Sequence, residues 1–313
     1  MRYVIIGNSA AAVGCIEGIR SVDKTGEIIL ITGETEWNYS RPLISYLLEG
    51  KTTRDKMWCR PDSFFTRNGV TVKAGVLATA LDAGDRTVRL STGERLAYDR
   101  LLAATGSRPF VPPIPGLETV ERTFCFQTLS DASALAEALR PESRVLILGA
   151  GLTGVKCAEG IRGLCAQIAI ADLAPRVLPA VLDDTAAAMV QARMEEKGVR
   201  FYLNDSAAAF RGNTARLQSG TELEFDVLVT AVGVRPNTQL VADAGGAVDR
   251  GILVDGRCAT TLPDVYAAGD CAQGYDAVSG EKRMLPLWPN AMLQGETAGI
   301  NMAGGRAVEA DRA

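Results

Sequence analysis

The sequence predicts an α/β protein made of two copies of one parallel-sheet unit. A strand–glycine turn–helix segment occurs twice. A second repeated segment follows each copy in the same order. The length, 313 residues, suits two domains at about 150 residues each. The chain is 47% hydrophobic and 22% charged, ordinary for a globular protein.

The first repeat sets Val4-Ile5-Ile6-Gly7-Asn8-Ser9-Ala10-Ala11-Ala12 over Leu146-Ile147-Leu148-Gly149-Ala150-Gly151-Leu152-Thr153-Gly154. Beyond the turns, Val13/Val155, Cys15/Cys157, Glu17/Glu159, Gly18/Gly160, Ile19/Ile161 and Arg20/Arg162 coincide. Each copy reads as a buried strand, a tight turn and a helix. The second repeat aligns 87–109 with 214–236, identical at 11 of 23 positions. Each copy reads as a short strand, a glycine turn and a longer apolar strand ending in Gly-x-Arg-Pro.

Gly149-Ala150-Gly151-Leu152-Thr153-Gly154 is a complete G-x-G-x-x-G directly after the strand Arg144–Leu148. The first glycine makes the turn, the second lets a pyrophosphate approach the backbone, and the third packs helix on strand. The helix N-terminus then supplies partial positive charge. The next strand, Ile168–Ala171, delivers Asp172, where an acid accepts from an adenosine ribose. That favours NAD(H), with NADP(H) the less favoured alternative because Arg176 is close. In the first turn Ser9 stands for the second glycine and Ala12 for the third. The strand Ile28–Thr32 leads to Gly33 and Glu34, the corresponding ribose candidate. The fold class is therefore two Rossmann-like dinucleotide-binding domains.

Other chemistries are excluded. There is no histidine, which removes Ser-His-Asp and Cys-His catalysis and histidine metal ligands. Seven cysteines (Cys15, Cys59, Cys125, Cys157, Cys165, Cys258, Cys271) form no CxxC or CxxxxC pair, so a metal site and an internal redox dithiol are not expected. They read as packing residues in a reducing compartment. The net charge of −4 argues against nucleic acid and anionic membranes. No run approaches the roughly 20 apolar residues of a membrane span. The chain opens at once on a strand, without a signal-peptide layout, so a cytoplasmic protein is expected.

Two more segments narrow the class. Thr261–Asp270 reads as a short strand delivering Asp270, and Pro286-Leu287-Trp288-Pro289-Asn290-Ala291 opens the last helix. With both turns, both Gly-x-Arg-Pro segments and Tyr39-Ser40-Arg41-Pro42-Leu43-Ile44-Ser45-Tyr46, the chain resembles the FAD- and NAD(P)H-dependent pyridine nucleotide–disulfide oxidoreductase family. It is most similar to the subgroup of rubredoxin and ferredoxin reductases and of nitrite reductase large-subunit FAD domains. The resemblance runs from residue 1 to about 303.

The resemblance implies a NAD domain inserted into a discontinuous FAD domain: 1–109 plus 237–313 for FAD, 110–236 for NAD(P)H. It implies FAD at Gly7, Ser9, Ala10, Ala11 and Ala12. Glu34 would lie at the ribose, Arg41 at the pyrophosphate or flavin, and the Ala78 backbone beside adenine. Thr105, Gly106 and Arg108 come from the first Gly-x-Arg-Pro segment. Asp270 would meet the ribityl chain and Trp288 the isoalloxazine. NAD would use Gly149, Gly151, Gly154, Asp172 and Gly233. The implied chemistry is hydride transfer from NADH to flavin N5. The electrons would pass to, or come from, an iron–sulfur or rubredoxin-like protein partner. An oxygen-using NADH oxidase, a small-molecule reductase and an FAD/NADH redox-sensing scaffold are the alternatives.

The departures are informative. Residues 40–45 carry no thiol, so disulfide reduction there is not expected. Many relatives have Lys where Tyr46 stands and Glu where Lys156 stands. Lys156 and Glu159 share a helix face and could act near the nicotinamide, so Lys156, Glu159 and Trp288 are the candidate reaction-site residues. Relatives usually carry a third, C-terminal interface domain. Here Asn301–Arg306 passes into a polar tail ending at Ala313. Either a longer protein continues, or the domain is lacking, which would suit a subunit of a hetero-oligomeric oxidoreductase.

Overall fold

Both apolar runs that precede a glycine turn become the central strands of parallel sheets in the computed structural model, which describes residues 1–276 and 279–309. The first principal elements in chain order are β1 (Arg2–Ile6), α1 (Ala10–Val22), β2 (Glu27–Thr32), α2 (Ile44–Leu48), β3 (Val70–Ala74), β4 (Arg100–Ala103), β5 (Thr123–Phe124) and α3 (Leu129–Ala138). There follow β6 (Arg144–Leu148), α4 (Leu152–Ile161), β7 (Gln167–Asp172), α5 (Asp184–Glu195), β8 (Val199–Leu203), β9 (Val227–Thr230), β10 (Val265–Ala267) and α6 (Trp288–Met302). The contacts divide the chain into unit 1 (Met1–Ser40, Trp58–Ser107, Pro236–Ala313) and unit 2 (Arg41–Met57, Arg108–Arg235). Residues Arg41–Met57, which the sequence assigns to 1–109, pack with unit 2. The end of the tail at Ala313 lies outside the described residues.

Unit 1 holds a five-stranded sheet in the order β10-β4-β1-β2-β3. The strands pair in parallel, with Ile5 opposite Leu30 and Leu102. Tyr3, Ile5, Ile28 and Leu30 are fully buried on one face. Each such side chain stabilises the sheet by about 1.5–3 kcal/mol. Beside α1, in the same core, lies α6, so near that a Cβ on Gly14, Gly18, Gly295 or Gly299 would strike a carbonyl oxygen of the facing helix: Met292, Glu296, Ala11 and Cys15 respectively. Two glycine pairs at i, i+4 thus interlock backbone against backbone. The end of α6 is knotted by Asn301. Its Oδ1 accepts from Arg257 and from Ala307 N, and its Nδ2 donates to the carbonyls of Thr297, Arg257 and Ala307.

Unit 2 repeats the plan with the sheet order β8-β7-β6-β9-β5 and Ile147 opposite Ile170 and Val229. The face of α4 equivalent to the glycine face of α1 meets the short helix α2. Gly160, the counterpart of Gly18, has room for no Cβ without crowding Ser45 O at 3.0 Å. Lys156, the counterpart of Gly14, sets its ammonium 4.2 Å from the centroid of the Tyr46 ring.

The second repeat departs from expectation in one respect. Its longer apolar segment is two strands in different sheets. Arg95–Ala97 closes an antiparallel three-stranded sheet, whereas β4 joins the parallel one, and Glu222–Glu224 and β9 divide likewise. The break falls at an aspartate in each copy. Asp99 accepts from Arg2 N at 2.6 Å, and Asp226 accepts from Arg144 N at 2.8 Å. Each carboxylate caps the start of the unit's central strand, β1 or β6, which requires the chain to turn there. Both small sheets carry a register shift in their first strand, between Ala78 and Ala80 and between Ala207 and Ala209.

Candidate functional site

The two glycine turns are built alike. Gly7 (φ +123°) and Gly149 (φ +109°) adopt backbone conformations that favour glycine. A Cβ on Gly7 would collide with Ala104 O, and one on Gly149 with Ala231 O. Ala104 and Ala231 are repeat-equivalent and open the Thr105-Gly106 and Val232-Gly233 segments. Each turn is therefore backed by its own Gly-x-Arg-Pro strand. Gly154 cannot carry a Cβ because Gly149 O fills the place, whereas Ala12 fits at the equivalent position in unit 1, fully buried. Gly151 differs: nothing lies within 4 Å of a Cβ built there.

Uncapped helix starts without a first-turn acid occur at α1, α2, α4 and α6, but of these only α1 and α4 follow a glycine turn at the end of a central parallel strand. Thr128 caps α3 in a capping box with Asp131, and Asp183 caps α5 with Asp184 in its first turn. By contrast α1 begins at Ser9 and α4 at Gly151, with no side-chain cap and no acid in the first turn. Their first N–H groups and the positive end of the helix dipole are left to an external anion. That fits a dinucleotide pyrophosphate at both.

In unit 1 the sequence candidates gather around the first turn. Ala10, Ala11 and Ala12 are buried in α1. Glu34 follows β2 and accepts from the Tyr39 hydroxyl at 2.8 Å. Leu77, next to Ala78, lies over Gly33, which brings the Ala78 strand beside Glu34. Thr105 and Gly106 are held by Asn237: Thr105 Oγ1 donates to its carbonyl at 2.6 Å, its Nδ2 donates to Thr105 O, and its N–H to Gly106 O. Asp270 follows β10 and accepts from Ser107 Oγ at 2.9 Å. Trp288 is the first residue of α6, half-buried. Arg41 and Arg108 belong instead to unit 2, where Arg41 donates to Gln127 O at 3.1 Å.

Buried polar atoms without protein partners mark what the motif missed. They include Asn8 Oδ1, Trp37 Nε1 and both amide atoms of Asn38, all in unit 1. Asn8 lies within the glycine turn and donates to Glu36 O. Orphaned buried donors and acceptors are costly unless a ligand meets them. Together with the uncapped α1, they make these residues a fit for FAD. Asn237 had a faint signal, following directly on the second Gly-x-Arg-Pro segment.

In unit 2, Asp172 ends β7. Its carboxylate accepts from Ala150 N at 2.5 Å and from Ala174 N at 2.7 Å, which braces the turn and leaves lone pairs for ribose hydroxyls. Arg176 is committed within its own loop, to Asp184, Leu182 O and Pro179 O. Gly233 (φ +117°) accepts from Phe110 N. Lys156 forms an ion pair with Glu159, whose carboxyl it holds below the usual range.

Four of the thiols, Cys15, Cys157, Cys258 and Cys271, are buried among packing residues, whereas Cys59, Cys125 and Cys165 are partly buried. Cys15 and Cys157 occupy equivalent, fully buried helix positions, and burial pushes both up. Cys271 is also fully buried, donating to Ala103 O and Ala268 O. Among the described residues no cluster could hold a metal, and no helix is long and apolar enough to cross a membrane.

Comparisons with known proteins agree with this geometry. A family model described as pyridine nucleotide-disulphide oxidoreductase matches residues 1–295. The epsilon subunit of NADH-dependent phenylglyoxylate dehydrogenase from Aromatoleum evansii is 34% identical over 98% of this chain and 74% of its own. Rubredoxin-NAD(+) reductase from Pseudomonas putida is 29% identical over 97% of this chain and 80% of its own. Among solved structures, putidaredoxin reductase in its covalent complex with putidaredoxin superposes with a TM-score of 0.90 at 26% identity, covering 97% of this chain and 76% of that one. With two dinucleotide turns in the expected order and a family match along nearly its whole length, the chain belongs to the pyridine nucleotide-disulphide oxidoreductase family, as an NAD(P)H-dependent flavoprotein oxidoreductase whose cofactors are FAD and NAD(H).

Proposed function

We propose that the protein takes reducing equivalents from NADH and exchanges them with an iron–sulfur or rubredoxin-like protein, as a cytoplasmic subunit of a larger oxidoreductase. The observation that carries the reading is the pair of uncapped, acid-free helix starts behind Gly7 and Gly149, one in each unit. The relatives support the acceptor class: one is a subunit of an NADH-dependent dehydrogenase, another a rubredoxin reductase. Seven free cysteines suit a reducing compartment.

Bound FAD and NADH supply the redox chemistry themselves, so no histidine is needed. The protein binds and orients. Gly7, Ser9 and the N–H groups of Ala10–Ala12 would face the FAD pyrophosphate, with Glu34 at its ribose and Ala78 backbone at adenine. Thr105 and Gly106 would border the flavin, Asp270 would hold the ribityl hydroxyls, and Trp288 would cover the ring. Gly149, Gly151 and Gly154 would cradle the NADH pyrophosphate, Asp172 its ribose, with Gly233 lining the site. Lys156, fixed by Tyr46 and Glu159, would set the charge near the nicotinamide.

Anaerobic titration of the yellow protein tests this. NADH is expected to bleach the flavin, and NADPH about tenfold or more slowly, because its 2′-phosphate would meet the Asp172 carboxylate. Rubredoxin or ferredoxin should then reoxidise the protein faster than oxygen does. A colourless protein that cannot be reconstituted with FAD would overturn the reading, and equally fast reoxidation by oxygen would replace it with an oxidase. In stopped flow, Lys156→Ala should slow flavin reduction several-fold; an unchanged rate removes Lys156 from the site.

A further inference from the structure

One buried amide in unit 1 joins the turn before Asp270, beyond β10, to the C-terminal segment. Gln294, in the middle of α6, is 4% exposed. Its Oε1 accepts from Gly269 N–H at 2.9 Å. Gly269 (φ +79°) is the turn that aims Asp270. The Gln294 Nε2 donates to Glu309 Oε1 at 2.9 Å. Gly274 lies directly beneath the pair: a Cβ there would stand 3.1 Å from Glu309 Oε2 and 3.2 Å from Gln294 Nε2.

The chemistry of the pair is directional. A carboxamide has one acceptor end and one donor end. Gly269 N–H needs an acceptor, so it selects the oxygen. The nitrogen is then turned toward Glu309, and only an acceptor there satisfies it. Glu309 is itself held in place, its N–H donating to Gly256 O, two residues after the Ala307 backbone that Asn301 grips from both sides. Burial pushes its carboxyl up, and its second oxygen, Oε2, is buried without a partner. A buried carboxylate kept beside one amide is a costly arrangement with no packing purpose, since a hydrophobic residue would fill the space more cheaply.

We propose that Gln294 is a positioning residue for Asp270, and that Glu309 orients it by accepting from its Nε2. The proposal rests on the reading of Asp270 as the acid of the FAD site. It assigns the C-terminal segment a part in holding the flavin, from a place outside the dinucleotide motif.

Release of FAD from the purified holoenzyme, followed by flavin fluorescence in Asp270→Ala, Gln294→Met, Glu309→Leu and Glu309→Gln, tests it. Asp270→Ala, Gln294→Met and Glu309→Leu should each release FAD about tenfold faster than the wild type, the loss of one buried hydrogen bond. Glu309→Gln should release it at close to the wild-type rate, because its carboxamide oxygen still accepts from Gln294. Both Glu309 variants remove the charge, so a merely structural or electrostatic role would not separate them. Wild-type release from Gln294→Met or Glu309→Leu, with Asp270→Ala fast, overturns the proposal and spares the reading of Asp270. Equal acceleration in both Glu309 variants also overturns it. Wild-type release from Asp270→Ala removes the reading of Asp270 and the proposal together. Should Gln294→Met fail to fold, the two Glu309 variants decide.

Discussion

Gly151→Val is expected to cut the rate of flavin reduction by NADH by at least about 100-fold while leaving the protein yellow and folded. Gly151 has an ordinary backbone conformation (φ −74°) and open space where a side chain would stand. Valine therefore meets no protein atom there, and the helix loses about 1 kcal/mol in exchanging a glycine N-cap for a poorer one. What fills is the volume above the first N–H groups of α4, where the NADH pyrophosphate is proposed to lie. A displacement of about 1 Å in a bound reactant is enough for a 100-fold loss. Stopped-flow reduction at saturating NADH, beside flavin absorbance and thermal melting, separates the effects. A wild-type reduction rate would remove the second glycine turn from NADH binding. The position equivalent to Gly151 in unit 1 is Ser9, so the same open place in that turn accepts a small side chain.

Gly295→Ala is expected to destabilise unit 1 severely, by about 3 kcal/mol or more. Its added carbon would overlap the carbonyl of Ala11, with Ala11 Cα also within 3 Å. The obstacle is helix backbone and not the tip of a flexible side chain, so relief demands that α1 and α6 separate. At roughly 2–4 °C per kcal/mol for a domain of this size, the melting temperature should fall by roughly 6–12 °C. Gly163→Ala serves as reference, since nothing lies within 4 Å of a Cβ there. If Gly295→Ala melts with the wild type, the glycine seam does not hold the two helices.

Much of this was legible in residue order. The turns at Gly7 and Gly149, the acid ends at Glu34, Asp172 and Asp270, and the start of α6 at Trp288 are local features. Each needs a particular residue at a particular spacing along one segment. The burial of Cys15 and Cys157 was legible for a related reason, because both sit at the same place on amphipathic repeats. What sequence reading misses depends on partners distant in the chain. Apolar residues run on both sides of Asp99 and Asp226, so one strand looks continuous, and only the N–H groups of Arg2 and Arg144 explain the break. Tyr46 shows in the sequence only as a departure from the relatives' lysine; its contact with Lys156, which takes the place that Gly14 has in the first repeat, is not visible there. Gln294 and Asn301 look like polar interruptions of a helix until Gly269, Glu309, Arg257 and Ala307 are set around them.

The glycine seam also has a mechanical meaning. Four glycines each face a carbonyl of the opposite helix, so α6 can occupy only one axial setting along α1. Moving it by a single residue would put side chains against all four oxygens at once. The axial position of Trp288 is therefore metered by the pitch of α1, and through it by the first glycine turn, not by the segment that leads into α6. That segment is free to change in length or composition without displacing the indole. The stretch before Trp288 is thus the place in unit 1 where an insertion would be absorbed and the geometry beyond it kept.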